Sequence, residues 1–324
     1  EVCKYLERKG CRVTYISVDS EGIVSVNKLE KAIGKQTILI TIMHANNEIG
    51  TIQPISEIAK IARKNNIYFH TDAAQSAGKY PVDVKEMGVD LLSIAGHKLY
   101  APKGIGALFI KEGIQLEKLI HGADHEQNKR AGTENVLEIV GLGKACDIAH
   151  RYLYRNITHM QSARNLLYHN LKTELPQIKL NGHPELRLAN TLNISFPNVE
   201  ANILLNELEL KGIAASAGAA CHTDSVDVSP VLTAIKLNTD YAMGTIRFSM
   251  GKSTTEDEIQ RASKLIIETV KKLSLSQTEI KPAEINDFSD IRLTKYTQGL
   301  GCACKLRPQE LEKILKGMPK STNP

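Results

Sequence analysis

The chain has 324 residues, 42% hydrophobic and 24% charged, with 41 Lys and Arg against 36 Asp and Glu. This is the composition of an ordinary folded protein of roughly two domains, which excludes a mainly disordered or collagen-like chain. The surplus of +5 is spread along the sequence, which argues against a nucleic-acid binder, and no run approaches the ~18–20 apolar residues of a membrane helix. Six cysteines without a signal peptide point to a reducing, cytoplasmic compartment rather than a disulfide scaffold.

Residues 1–10 read as helix, and with Glu1 in place of a Met the chain reads as starting inside a larger protein. Residues 37–43 form a β-branched run. Residues 54–64 open with Pro54 and carry Ile55, Ile58, Ala59 and Ala62 at helical spacing. Three more apolar runs follow at 67–71, 89–95 and 105–110. Strands separated by helices of this length predict a parallel or mixed sheet covered on both faces. The pattern turns helical over 133–175. Strands at 189–196 and 245–250 and helices at 201–210 and 259–273 then predict a smaller α+β domain. Thr255 and Glu258 make a capping box ahead of the last helix. Residues 274–285 are polar and read as the end of that domain. The expected division is 1–135, 136–275, a linker at 276–290, and a separate segment at 291–324.

Several familiar motifs fail. Gly104-Ile105-Gly106 lacks the third glycine of a dinucleotide fingerprint, since position 109 is Phe109. Gly251-Lys252-Ser253 lacks the leading glycine of a phosphate-binding loop, since position 246 is Ile246. The histidines show no zinc-site pairing, so no metal is expected. Two strand ends are more informative. Asp72 closes one apolar run, and Gly96-His97-Lys98 follows another. Taken alone, Asp72 reads as a helix cap and Lys98 as a solvated lysine. Taken together they suit pyridoxal phosphate chemistry. A lysine amine must lose its proton to bind the aldehyde, and a carboxylate must keep the ring nitrogen protonated so that it draws electrons from the substrate.

With these residues go Met43-His44-Ala45-Asn46-Asn47-Glu48-Ile49-Gly50, Asp72-Ala73-Ala74-Gln75-Ser76, Arg130-Ala131-Gly132-Thr133-Glu134-Asn135, Ser216-Ala217-Gly218-Ala219-Ala220-Cys221 and Ile246-Arg247-Phe248-Ser249. In that order they resemble the cysteine desulfurase and selenocysteine lyase family, a branch of the class V aminotransferases. The resemblance covers about residues 1–275. It implies the α/β fold type I of pyridoxal-phosphate-dependent transferases, with a mostly parallel mixed sheet in an incomplete large domain and a smaller α+β C-terminal domain. It also implies pyridoxal 5'-phosphate as cofactor and a homodimer with shared sites. Lys98 takes the place of the lysine that carries the cofactor and moves the α-proton. Asp72 would pair with the ring nitrogen, Gln75 with the ring hydroxyl, and Asn47 would sit at the same edge and near the substrate. His97 would contact the cofactor phosphate, and Thr133 the phosphate in the neighbouring subunit. Arg247 would clamp the substrate carboxylate through its bidentate fork. Cys221 would meet the departing sulfur or selenium. Two departures stand out. Ala95 replaces a phosphate-binding serine, and the family's N-terminal portion, with its glycine-rich phosphate turn and ring-stacking histidine, has no counterpart here. Weak cofactor retention and little activity are expected of the chain alone.

The substrate expected is L-selenocysteine, giving L-alanine and selenide, with L-cysteine as the alternative. Residues 121–130 and Cys221-His222-Thr223-Asp224 resemble the selenocysteine lyase versions of those segments. Residues 291–305, ending in Gly301-Cys302-Ala303-Cys304-Lys305, resemble the opening of selenophosphate synthetase. There Cys302 would handle selenium and Lys305 would assist phosphoryl transfer, although a Cys-x-Cys metal or redox pair fits the same residues. The combination implies a selenium-recycling fusion in which tethering hands selenide from one site to the next.

Overall fold

The computed structural model describes residues 1–222 and 225–278, with 219–222, 225–227 and 276–278 described through the backbone alone. Helix α1 (Val2–Arg8) has no buried residue. Helix α2 (Val26–Ala32), capped by the Ser25 hydroxyl, leads into strand β1 (Leu39–Met43). Helix α3 (Ile55–Lys64), strand β2 (Tyr68–Asp72), helix α4 (Val84–Met87), strand β3 (Leu91–Ala95), a 3-10 turn (Gly96–Leu99) and strand β4 (Gly106–Ile110) follow. The sheet order is β1-β2-β3-β4, parallel except for β4. This is the expected mixed sheet.

Period-two alternation sorts its faces. Ile40, Phe69 and Leu92 point to one side, where they meet Ile55, Ile58, Ala59 and Ala62, the predicted stripe of α3. Phe69 and Ile58 are completely buried, and each such side chain contributes about 1.5–3 kcal/mol. The other face departs from expectation. Leu39 is 45% exposed, Tyr68 53% and Leu108 46%, so the described residues cover the sheet on one side only. The helices of the expected pattern all pack below it. Across the open face runs a polar row in which the Thr41 hydroxyl lies 2.8 Å from His70 Nδ1 and the Ser93 hydroxyl 2.9 Å from Nε2.

The helical stretch begins at α5 (Val136–Arg151), whose cap is Asn135, and breaks at Tyr152 before α6 (Leu153–Glu174). Helix α5 packs Leu142 and Ala145 against Ala77 and Leu99 near the 3-10 turn. Helix α6 packs instead in the second core. Strand β5 (Lys179–Leu180), strand β6 (Thr191–Ser195), helix α7 (Ala201–Leu210), strand β7 (Ser216–Ala217), the hairpin β8 (Ala219–His222) and β9 (Ser225–Val228), helices α8 (Pro230–Ala234) and α9 (Thr239–Met243), strand β10 (Thr245–Ser249) and helix α10 (Glu256–Thr278) complete it. The antiparallel sheet has the order β5-β6-β10-β7. Leu192, Ile194, Ile246 and Phe248 meet Leu167, Leu171, Leu204, Leu208 and Ile266 of the helices. The Thr255–Glu258 capping box forms as expected. The helix behind it runs on through 274–278, which the sequence reads as a polar terminus. The Ser and Gln of this turn supply no stop signal of the Gly or Pro kind.

The buried polar side of β6 joins the two sheets. Asn181 Nδ2 donates to Asn193 Oδ1 (2.8 Å) and Ser195 Oγ (2.7 Å), and Asn193 Nδ2 donates to the Glu48 carbonyl (3.1 Å). The loop after β1 is therefore seated on the second domain. Arg187, 6% exposed, donates to the Ile49 and Asn181 carbonyls, and burial pulls its guanidinium down to about 10.

Candidate active site

Parallel strands place their carboxyl ends on one edge, where open α/β sheets bind ligands. Here the register aligns Met43, Asp72 and Ser93. The three loops leaving that edge are the ones singled out in the sequence. One carries Asn47, the second Asp72 and Gln75, and the third His97 and Lys98.

The local structure explains each placement. The His44 backbone donates to the Asp72 carbonyl (2.8 Å), and Ala73 to the Ser93 carbonyl (2.9 Å), so pairing holds to the tips. Asp72 then turns the chain, with Oδ1 accepting the Ala74 N–H at 2.8 Å. Among the described residues its second carboxylate oxygen has no hydrogen-bond partner. Lys98 is half-buried in the 3-10 turn, and its amine has neither an ion pair nor a hydrogen bond among the described residues. Gly96 starts that turn because nothing larger fits, a Cβ there lying 2.7 Å from the Ile105 carbonyl. Tyr100 ends it at φ 64°, a conformation that costs a non-glycine residue and persists only where neighbours enforce it. Its hydroxyl accepts the Lys252 N–H at 3.0 Å, and the Lys252 amine stands 4.5 Å from the ring centroid.

The antiparallel sheet and the β8–β9 hairpin contact the Asn47 loop at this edge. Arg247 on β10 donates through Nη1 to the Asn47 carbonyl (2.7 Å) and through Nη2 to Ser216 Oγ (3.1 Å), while its buried Nε has no partner. Residues 200 apart in sequence are thus joined at the strand edge. The Ser229 hydroxyl donates to the Glu48 carboxylate at 2.6 Å, tying the end of the β8–β9 hairpin to the Asn47 loop. Cys221 lies in that hairpin, its backbone opposite Val226. His97 and Asn47 are exposed, and Gln75 half-buried. Thr133 is exposed on the stretch ahead of α5, with no hydrogen bond to the strand-edge residues among the described residues. Cys302 and Lys305 lie outside the described residues, as do Thr223 and Asp224.

These donors fit pyridoxal phosphate at its ring end. A carboxylate with an open oxygen and an unpaired amine leave adjacent strand ends, and a guanidinium with spare donors is hydrogen-bonded to the Asn47 loop that leaves the same edge. At the phosphate end His97 would be the one donor among these residues, since Ala95 offers no hydroxyl.

The sequence reading passed over three residues. His44 at the end of β1 is 4% exposed with an unpartnered Nδ1, and burial pushes its imidazole down to about 4. Glu48 and Lys79 join loops to one another. Nothing in their spacing marks them; a buried charge three residues past a strand-end motif is visible only once the turn is folded.

The model of the class-V aminotransferase family matches residues 2–262. The cysteine desulfurase IscS of Dictyoglomus turgidum is 46% identical over 273 residues, which is 84% of this chain and 69% of that protein. A solved NifS-like protein superposes with a TM-score of 0.77 at 37% identity, covering 83% of this chain and 71% of its own. A structure of SspA in complex with cysteine does so with a TM-score of 0.65 at 36% identity, covering 78% and 70%.

Proposed function

The chain belongs to the class-V aminotransferase family, and we propose that on this scaffold it removes sulfur from L-cysteine, leaving L-alanine. The observation that carries the reading is the hydrogen bond of Arg247 to Asn47, on a loop that leaves the same strand edge as Asp72 and Lys98. Cysteine desulfurases of this family use pyridoxal phosphate, which when bound supplies an electron sink for the substrate's Cα. Every other task falls to the chain's own residues. The open oxygen of Asp72 would accept the ring N–H, and Gln75 would hydrogen-bond the ring hydroxyl. His97 would reach the phosphate, and Thr133 that of a second copy in a homodimer. Arg247 and Asn47 hold the α-carboxylate, so that the Cα–H faces the Lys98 amine. Lys98 takes that proton and later returns it. Cys221 meets the departing sulfur, a task that needs a free thiol and a reducing compartment such as the cytoplasm. No described helix is long and apolar enough to cross a membrane.

Alanine release from L-cysteine, measured with and without Cys221→Ala, tests the reading. Loss of alanine in the variant supports it, and equal alanine in both overturns the role of Cys221. A second reading rests on the motif Cys221-His222-Thr223-Asp224 and on the segment 291–305. In it the substrate is L-selenocysteine, and Cys302 with Lys305 opens a fused selenophosphate synthetase that receives the selenide. The ratio of kcat/KM for selenocysteine over cysteine separates the two. A ratio near one favours cysteine.

A further inference from the structure

Lys79 is the most deeply buried ammonium among the described residues, at 9% exposure. It sits just past Gly78, whose φ is 74° and where a Cβ would stand 2.5 Å from the Leu99 side chain, so the β2 loop packs on the Lys98 turn at a position with no room for a larger residue. The Lys79 amine donates to the Gln75 carbonyl (3.3 Å) and to the Lys98 carbonyl (3.0 Å). One nitrogen thus spans the loop that carries Asp72 and Gln75 and the turn that carries Lys98. We propose that Lys79 is a positioning residue, a charged clamp that sets the Lys98 turn relative to the Asp72 loop so that both reach one cofactor ring.

The surroundings require the charge to be held by carbonyls. A cavity of about 60 Å³ beside the clamp is lined by the cationic residues Lys79, Lys98 and Lys252 and by Tyr100, with no carboxylate. Its α5 and α6 walls, Ala145, Ile148, Ala149, Asn156 and Met160, do not titrate. Burial, with the charge of Lys98 adding to it, pulls the Lys79 ammonium down to about 8. Below that pH the clamp is charged and its hydrogen bonds are strong. Above it the amine is neutral and they weaken. An arginine keeps its charge throughout, and the adjoining cavity gives its larger head room.

The inference rests on the reading of Lys98 as the lysine that carries the cofactor, and its test keeps the two apart. The full chain and its Lys79→Met and Lys79→Arg variants are mixed with pyridoxal phosphate and reduced with borohydride across pH 6–10. The adduct on Lys98 is then quantified by peptide mass. Lys79→Met is expected to lower the Lys98 adduct about tenfold, the scale of a lost charged hydrogen bond, while Lys79→Arg stays within about threefold of the parent. The parent-to-Arg ratio is expected to fall as the pH rises through about 8, which a merely space-filling lysine would not produce. A Lys79→Met adduct at the parent level, an arginine variant as poor as the methionine one, or a ratio flat with pH overturns the clamp. No Lys98 adduct in the parent overturns the cofactor reading, and the clamp falls with it. A Lys79-dependent adduct in a chain that does not turn over L-cysteine supports the clamp and sinks only the substrate.

Discussion

Replacing Arg247 by lysine isolates the substrate clamp from the charge it carries. A guanidinium has five N–H donors in a fixed fork. In Arg247 one anchors to the Asn47 carbonyl and one to Ser216 Oγ, and Nε is buried without a partner. Three N–H groups are therefore left for a ligand, enough for a bidentate grip on a carboxylate. A lysine in the same place has three donors, and the two anchors leave it one. The substitution removes one charge-assisted hydrogen bond to substrate, worth about 1.5–3 kcal/mol, and should lower kcat/KM for L-cysteine about 10- to 150-fold. The assay is alanine formation at saturating pyridoxal phosphate, with cysteamine as a second substrate that has the thiol and amine but no carboxylate. Cysteamine should lose nothing further on Arg247→Lys, because the missing donor has nothing to hold. An equal loss on both substrates, or no loss on L-cysteine, refutes the carboxylate role and leaves Arg247 a tie between domains.

Asp72→Asn keeps the turn, since the amide oxygen can still accept the Ala74 N–H, but removes the charge that holds the ring proton. Stability in urea should change by less than about 0.5 kcal/mol while activity falls at least about a hundredfold; a stability loss matching the activity loss would contradict this. Gly96→Ala brings a Cβ to 2.7 Å from the Ile105 carbonyl. A backbone oxygen cannot swing aside, so the variant should lose about 2 kcal/mol or more in urea unfolding and lose the Lys98 adduct. His44 supplies a pH signature. The unfolded chain takes up that proton near 6.5 and the folded one only near 4, so protonation favours unfolding. Stability from His44 is intact above about 6.5 and falls by ~1.4 kcal/mol per pH unit toward 4. His44→Gln should flatten that slope, and an unchanged slope would show that other groups carry it.

Much of the strand edge was legible because local pattern and chemistry coincide there. The apolar runs ending at Asp72 and ahead of Lys98 became adjacent parallel strands, and the α3 stripe matched its buried face residue for residue. Arg247 and Asn47 were legible through motif resemblance alone; no spacing rule brings residues 200 apart to 2.7 Å. The clamp at Lys79 and the neutral His44 were not legible, because their roles come from desolvation, which exists only after folding. The open face with Leu39 and Tyr68 escaped for a different reason. Periodicity shows that a face is apolar but not which segment covers it. The two proposed substrates differ by one atom, and the backbone placement of Cys221 in a hairpin is the same for both.

The proposed chemistry requires Lys98 to be the lysine that joins the cofactor, and the cavity beside it makes this a sharp test, because Lys79 and Lys252 line the same space. After loading with pyridoxal phosphate and borohydride reduction, peptide mass mapping should find the pyridoxyl group on Lys98. An adduct on Lys79 or Lys252 instead, or one scattered over exposed lysines, would contradict it.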